Sequence, residues 1–300
     1  MRNPKAAAAL CMHVPPGFSP GPSPFAFKPT GRSSSYMPTR YDGWEVELGD
    51  SPVVGTAIHA GSQLRKESLA IAGLSEAERL REEDPFTDRL IADFPNRIVV
   101  HRSRFEVDLN RARDGAVYLT PEQAWGLEVW ASPPDEAHVA TSLAYHDDFY
   151  RRMEGILSEV EARHGRFVLV DAHSYNHRRD GADAAATDQK QAPDINIGTF
   201  SMDRERWAFV VDPFIETLRS FTFRGRPIDV RENVAFLGKG EQTRFVHERF
   251  AQTGCAIAVE FKKIFMDEWT GMPDEEAIGE LRRMLAATVP LLEGLVSGAG

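Results

Sequence analysis

Phe167-Val168-Leu169-Val170-Asp171-Ala172-His173-Ser174 is the stretch that decides the fold. Four successive apolar residues read as a strand buried on both faces, the pattern of a central strand in an α/β sheet. In such sheets ligands bind beyond the carboxyl ends of the strands. The apolar run passes at once into an acid, a small residue, a histidine and a hydroxyl. Asp171, His173 and Ser174 are therefore expected where chemistry takes place. A capped, satisfied loop histidine fits this stretch equally well when it is read alone, so the decision falls to partners elsewhere in the chain.

The same grammar recurs. Val53-Val54-Gly55-Thr56-Ala57-Ile58 reads as a buried strand ending at His59-Ala60-Gly61-Ser62, and Cys255-Ala256-Ile257-Ala258-Val259 as another ending in Glu260. Arg97-Ile98-Val99-Val100 is a shorter strand that leads into a segment carrying Arg102, Arg104 and Arg111, with Asn110 beside the last. Clustered guanidinium groups in an acidic protein suit either a solvated loop paired with nearby acids or a bidentate carboxylate site. Helical patterns separate the strands. Residues 75–94 carry a Ser75/Glu78 capping box and a break at Pro85, and residues 136–164 are closed by Gly165. Further helices are expected over 204–221, 245–252 and 275–295. Residues 194–199 read as a short strand, and the segment after Ser174 as a long loop, which inside a compact domain is functional or mobile. Strands alternating with helices give an α/β class.

The chain has 300 residues and a net charge of −10. That charge argues against a nucleic-acid partner, and no apolar run is long enough to span a bilayer. Two cysteines, Cys11 and Cys255, make no disulfide framework. Cys255 reads as a small core residue, and a cytoplasmic setting is expected. Residues 1–42, rich in Pro, Gly and Ser, are expected to form an extended arm, and residues 43–300 a single domain that begins near Trp44. The short Ala6–Met12 run imitates a signal peptide but stops at Pro15-Pro16, and that reading is rejected.

The strand ends thus carry His59, His173 and Glu260. Two histidines and an acid are a common protein ligand set for zinc with one position open. The third ligand is expected from the acidic group near Pro85, where Glu83 and Asp84 are favoured over Asp88, although acids at a helix start also suit the helix dipole. There is no HExxH motif. Glu260 is the natural general base, and the arginines suit a substrate carboxylate. The assembly reads as a metal-assisted amide hydrolase acting on an acidic substrate.

His59-Ala60-Gly61, the stretch Ser103 to Arg111 with its Asp108-Leu109-Asn110-Arg111 block, Val170-Asp171-Ala172-His173-Ser174, Asn233 with its glycine-containing sequel, and Val259-Glu260 occur in this order. Over about residues 53–265 the chain resembles the N-formylglutamate amidohydrolases. The resemblance implies a three-layer α/β/α fold with a mixed, mostly parallel sheet, similar to zinc carboxypeptidases. It implies one zinc per chain held by His59 and His173, a catalytic Glu260, and an Asn110-Arg111 pair that grips the substrate carboxylate. It also implies a carbonyl-polarising Arg104 and places Asn233 at the substrate end. Two positions depart from the pattern. Ser62 stands where the carboxypeptidase-type acid follows the first histidine, and the Asn-x-Pro-type segment reads Asn233-Val234-Ala235-Phe236. Asp171 and Ser174 then orient the histidine rather than form a nucleophilic pair with it. The substrate implied is a small acidic N-acyl amino acid. A carboxypeptidase- or amidase-like activity on a peptide, or a binding protein that has lost catalysis, are the competing readings, and the oligomeric state stays open.

Overall fold

The computed structural model describes residues 38–297. The signal-like start and nearly all of the 1–42 arm lie outside the described residues. β1 (Thr39–Tyr41), β2 (Trp44–Glu47) and β3 (Val53–Ala57) come first. Helices α1 (Lys66–Ile71), α2 (Glu76–Glu82) and α3 (Thr87–Leu90) precede β4 (Asn96–Val100). The long α4 (Glu136–His164) feeds β5 (Phe167–Tyr175). Next are β6 (Ile195–Gly198), α5 (Ala208–Arg219), the hairpin β7 (Thr222–Phe223) with β8 (Arg226–Pro227), and β9 (Val230–Glu232). α6 (Glu241–Arg249), β10 (Gly254–Lys262), α7 (Glu275–Ala286) and α8 (Val289–Ser297) follow.

Eight strands form one sheet in the order β1-β2-β4-β3-β5-β10-β6-β9. The central four, β4, β3, β5 and β10, run parallel to one another. β2 and β6 flank them antiparallel, and β9 runs parallel to β6. Successive side chains of a strand point to opposite faces, so β5 divides its apolar run between two cores. Val168, Val170 and Ala172 join Phe214, Leu281 and Leu292 from α5, α7 and α8. Phe167 and Leu169 join Phe149, Met153 and Leu157 of α4 on the other face. At about 1.5–3 kcal/mol per fully buried large apolar side chain, both faces must be covered, and the result is the expected three-layer α/β/α arrangement with a mixed, mostly parallel sheet.

Local signals set the element ends. The Ser75/Glu78 capping box opens α2, the Asp135 carboxylate caps α4 and accepts from His138 N, and Gly165 at φ +76° closes it. Several boundaries differ from the sequence reading. β5 does not end at Val170 but runs buried through Asp171, His173 and Ser174 to Tyr175, because β10 pairs with it along its whole length. β10 likewise continues past Glu260. The closing helix is two helices, since Pro290, in the first turn of α8, has no N–H with which to continue the hydrogen-bond ladder of α7. Gly61 has a steric reason: a Cβ there would lie 2.0 Å from the His101 carbonyl carbon.

The segment between β5 and β6 is anchored near its start. Glu268 accepts from the backbone N–H groups of His177 and Arg178 at 2.7 and 2.8 Å, and Thr187 N donates to His177 O at 2.7 Å. Burial opposes the Glu268 charge, but its bonds from His177 and Arg178 outweigh that and pull its carboxyl down to about 2 from 4.5. A depressed carboxylate pKa contributes stability that is present above the unfolded value and is lost as pH falls through the folded one. Glu268→Gln is therefore expected to cost on the order of 3 kcal/mol at pH 7 in urea unfolding. The deficit relative to wild type should shrink between about pH 4.5 and pH 2. A deficit of the same size at pH 2.5 and pH 7 would show that the charge is not its source.

Candidate metal centre and catalytic cleft

His59 follows β3, His173 lies on β5, and Asp84 sits in the turn between α2 and α3. Asp84 is brought to His59 by the backbone, since its N–H donates to His59 O at 2.9 Å. Its carbonyl accepts from Thr87 Oγ1 at 2.7 Å, and Phe86 beside it takes the left-handed conformation at φ +69°. The three side chains are buried, and one ligand atom from each lies within 4.8 Å of the others. Asp84 Oδ2 is 3.4 Å from His59 Nδ1 and 3.0 Å from His173 Nδ1.

The far nitrogens lie against other carboxylates. His59 Nε2 is 2.7 Å from Asp108 Oδ1, and His173 Nε2 is 3.0 Å from Asp171 Oδ2. Tethering one ring nitrogen to a carboxylate presents the other as a ligand, the arrangement that supports metal-bound histidines. His59 Nδ1 is buried with no hydrogen-bond partner, a defect that costs about 1–3 kcal/mol when left unsatisfied. Burial opposes charge on His173, but Asp171, Asp84 and Glu260 outweigh it and hold its pKa well above the ordinary value. This excess of anionic groups is what a divalent cation neutralises. The donor set, two imidazole nitrogens and a carboxylate oxygen, fits a metal ion.

Of the two acids left open by the sequence, Asp84 joins the cluster and Glu83 does not. Glu83 closes α2, and its carboxylate accepts from Ser103 Oγ. Burial pushes its carboxyl up to about 7. Asp88 also stands outside the His59–Asp84–His173 group. Ser174 donates to Asp84 Oδ1 at 3.3 Å, and Asp171 accepts from Thr56 Oγ1 at 3.0 Å.

The cluster forms one wall of a cleft that is also lined by Glu260, Arg104, Asn110, Trp125, Phe236, Glu82, Asn176, Arg179 and Lys263. Glu260 of β10 is in register with His173 of β5. Burial, reinforced by Asp84 and Asp171 against the pull of His173 and Arg104, pushes the Glu260 carboxyl up to about 7. Arg104 donates to Asp108 Oδ2 at 2.8 Å and lies 4.9 Å from the Trp125 ring, while its Nε is buried without a partner. Burial opposes its charge, but Asp108 outweighs that and keeps it protonated. Asn110 Nδ2 is 3.4 Å from His173 Nε2. The close approach of Asn110 requires Gly240, where a Cβ would lie 2.2 Å from Asn110 Oδ1.

Two expected substrate contacts are not on the cleft wall. Arg111 donates to Gln123 O at 2.8 Å and lies 4.7 Å from the Tyr118 ring, because the turn after Asp108 sends neighbouring side chains in different directions. Asn233, left-handed at φ +55°, spends its side chain on Thr199, accepting from Thr199 N at 3.0 Å and donating to Thr199 Oγ1 at 2.9 Å. Asp108 is the residue the sequence reading missed. It is buried and accepts from His59, Arg104, the Tyr118 hydroxyl and Asn110 N. Its signal was the Asp-x-Asn spacing, in which an Asp side chain accepts from the backbone two residues on. Glu82, Asn176 and Arg179 carried no such signal.

The sequence model of the N-formylglutamate amidohydrolase family matches residues 51–266. The fold is similar to that of an N-formylglutamate amidohydrolase from Ralstonia eutropha JMP134, at 17% identity and a TM-score of 0.68 over 86% of this chain and 99% of that one. It is also similar to a gene product of Agrobacterium tumefaciens, at 16% identity and a TM-score of 0.58 over 84% of this chain and 96% of that one. No curated protein matches the chain. Among the described residues no helix is long and apolar enough to cross a membrane.

Asp108→Asn keeps the shape but loses the charge that orients His59. Zinc affinity, read by competition with a chromogenic chelator, is expected to fall about 10–100-fold. Unchanged affinity would detach Asp108 from the metal centre.

Proposed function

The chain belongs to the N-formylglutamate amidohydrolase family, and from that premise we propose a zinc-dependent hydrolase that removes a formyl or other small acyl group from an acidic amino acid such as N-formyl-L-glutamate. The observation that carries this reading is the convergence of His59, Asp84 and His173 beside Glu260 in one cleft. His59 and His173 would hold the ion through Nδ1 and Asp84 through its carboxylate. A zinc ion bound there supplies Lewis-acid polarisation of the amide carbonyl and a water with a pKa lowered to about 7.

The chain's own groups do the rest. Glu260 takes the proton of the attacking water and passes it to the departing amine nitrogen. A carboxyl displaced upward toward 7 is suited to both halves of that transfer. Arg104, on the cleft wall, would meet the carbonyl oxygen with its guanidinium as negative charge grows there, and its salt bridge to Asp108 fixes it in place. Asn110, against His173, offers its amide to the α-carboxylate. Trp125 and Phe236 give the cleft apolar walls that limit water.

Glu260→Gln is expected to lower kcat for N-formyl-L-glutamate by about 10³-fold, within the range for loss of a general base, while zinc content stays near one per chain. Turnover near the wild-type rate would remove Glu260 from the role of base. Chelation is expected to abolish formate release, and added zinc to restore it.

A further inference from the structure

With Arg111 turned away, the cleft needs another cation to select an acidic side chain. The cations that line it are Arg104, Lys263 and Arg179. Arg104 is bound to Asp108 at 2.8 Å. Lys263 donates to the backbone carbonyl oxygens of Arg81 and Glu83. Arg179 differs from both. Its side chain is 51% exposed, and its contact is with Glu82 Oε2 at 3.6 Å, beyond hydrogen-bond distance.

Two features make this guanidinium available to a ligand. First, Glu82 does not depend on it. Glu82 Oε1 is held by Arg81 at 2.9 Å and by Asn176 Nδ2 at 3.1 Å, so the carboxylate keeps both of these bonds through Oε1 when Arg179 turns from Oε2. A half-exposed ion pair of this length contributes little, and exchanging it for another carboxylate costs little. Second, the backbone beneath Arg179 is fixed. Glu268 binds the N–H of Arg178 at 2.8 Å, Trp269 Nε1 donates to Arg178 O at 3.0 Å, and Arg81 reaches Arg179 O at 3.5 Å. An anchored backbone carrying a loosely paired guanidinium at the cleft rim is the arrangement a carboxylate-binding fork requires.

We propose that Arg179 binds the side-chain carboxylate of the acidic substrate and sets the preference for it. This rests on the amidohydrolase reading above. Asn110 lies against the metal-binding histidine, where the α-carboxylate stands close to the scissile amide. Arg179 lies at the exposed rim, where the more distant carboxylate emerges. Arg111, which the resemblance assigns to carboxylate binding, is engaged by Gln123 O.

The test compares the zinc-loaded wild type with Arg179→Ala and Arg179→Lys on N-formyl-L-glutamate and N-formyl-L-glutamine. In Arg179→Ala, KM for the glutamate substrate is expected to rise about 30-fold, the loss of a charge-assisted hydrogen bond, with kcat within about threefold of wild type. The glutamine substrate, lacking the charge, should change by less than about threefold. Arg179→Lys keeps the charge without the fork and should fall between the two. A wild-type KM for N-formyl-L-glutamate in Arg179→Ala, or equal losses on both substrates, overturns the proposal and leaves the amidohydrolase reading standing. A zinc-loaded wild-type protein that hydrolyses neither substrate overturns both.

Discussion

The in-register pairing of β5 with β10 is the constraint on which the rest of the molecule depends. Nine consecutive residue pairs, from Phe167–Gly254 to Tyr175–Lys262, lie side by side in parallel. A slip of one residue would turn every side chain of a strand to the opposite face. Here both faces are buried, and the apolar halves of β5 fill two different cores, so the register is set by packing well away from the cleft. At the far end the same register brings Glu260 beside His173. The separation between His173 of the candidate metal site and Glu260, the proposed base, is thus fixed by the sheet, not by flexible loops. That is the rigidity a catalytic constellation needs.

Charge inside this end of the sheet is arranged as a network around Asp108 and Asp84. Buried carboxylates are expensive unless they are bonded on several sides. Asp108 meets that condition with His59, Arg104, Tyr118 and the Asn110 backbone. Burial alone would raise the Asp84 carboxyl, but contacts from His173 and His59 outweigh it and hold it well below its ordinary range. One residue, Asp108, therefore contacts a histidine of the candidate metal site and an arginine at once. Because the outer nitrogens of both histidines face carboxylates, their inner nitrogens are left to face Asp84.

Much of this was legible in the sequence, and the unread parts share a physical cause. Strands buried on both faces announce themselves by unbroken apolar runs, so β3, β5 and β10 and the layered α/β fold could be read directly. Glycine, capping and proline signals located α2, α4 and the break at Pro85. The residues at strand ends, His59, His173 and Glu260, were legible because the sheet dictates where they go. Residues in turns were not. Glu83 and Asp84 are adjacent, yet one faces Ser103 and the other the histidines; a left-handed Phe86 and a backbone bond to His59 decide between them. The same holds for Arg111 and Asn233, whose side chains are taken up by Gln123 and Thr199. Arg179 lies in a segment without periodicity, and its place follows from Glu268, far away in the chain.

The central claim is that a metal ion sits among His59, Asp84 and His173, and that the histidines offer their Nδ1 atoms to it. Anomalous diffraction at the zinc edge from crystals of the zinc-loaded protein tests this most directly. The account predicts one strong peak per chain within bonding distance of His59 Nδ1, His173 Nδ1 and the Asp84 carboxylate, at about 2.0–2.2 Å. A peak bonded to either histidine through Nε2, a peak on Glu83, or a zinc-loaded crystal with no peak at this cluster would contradict it.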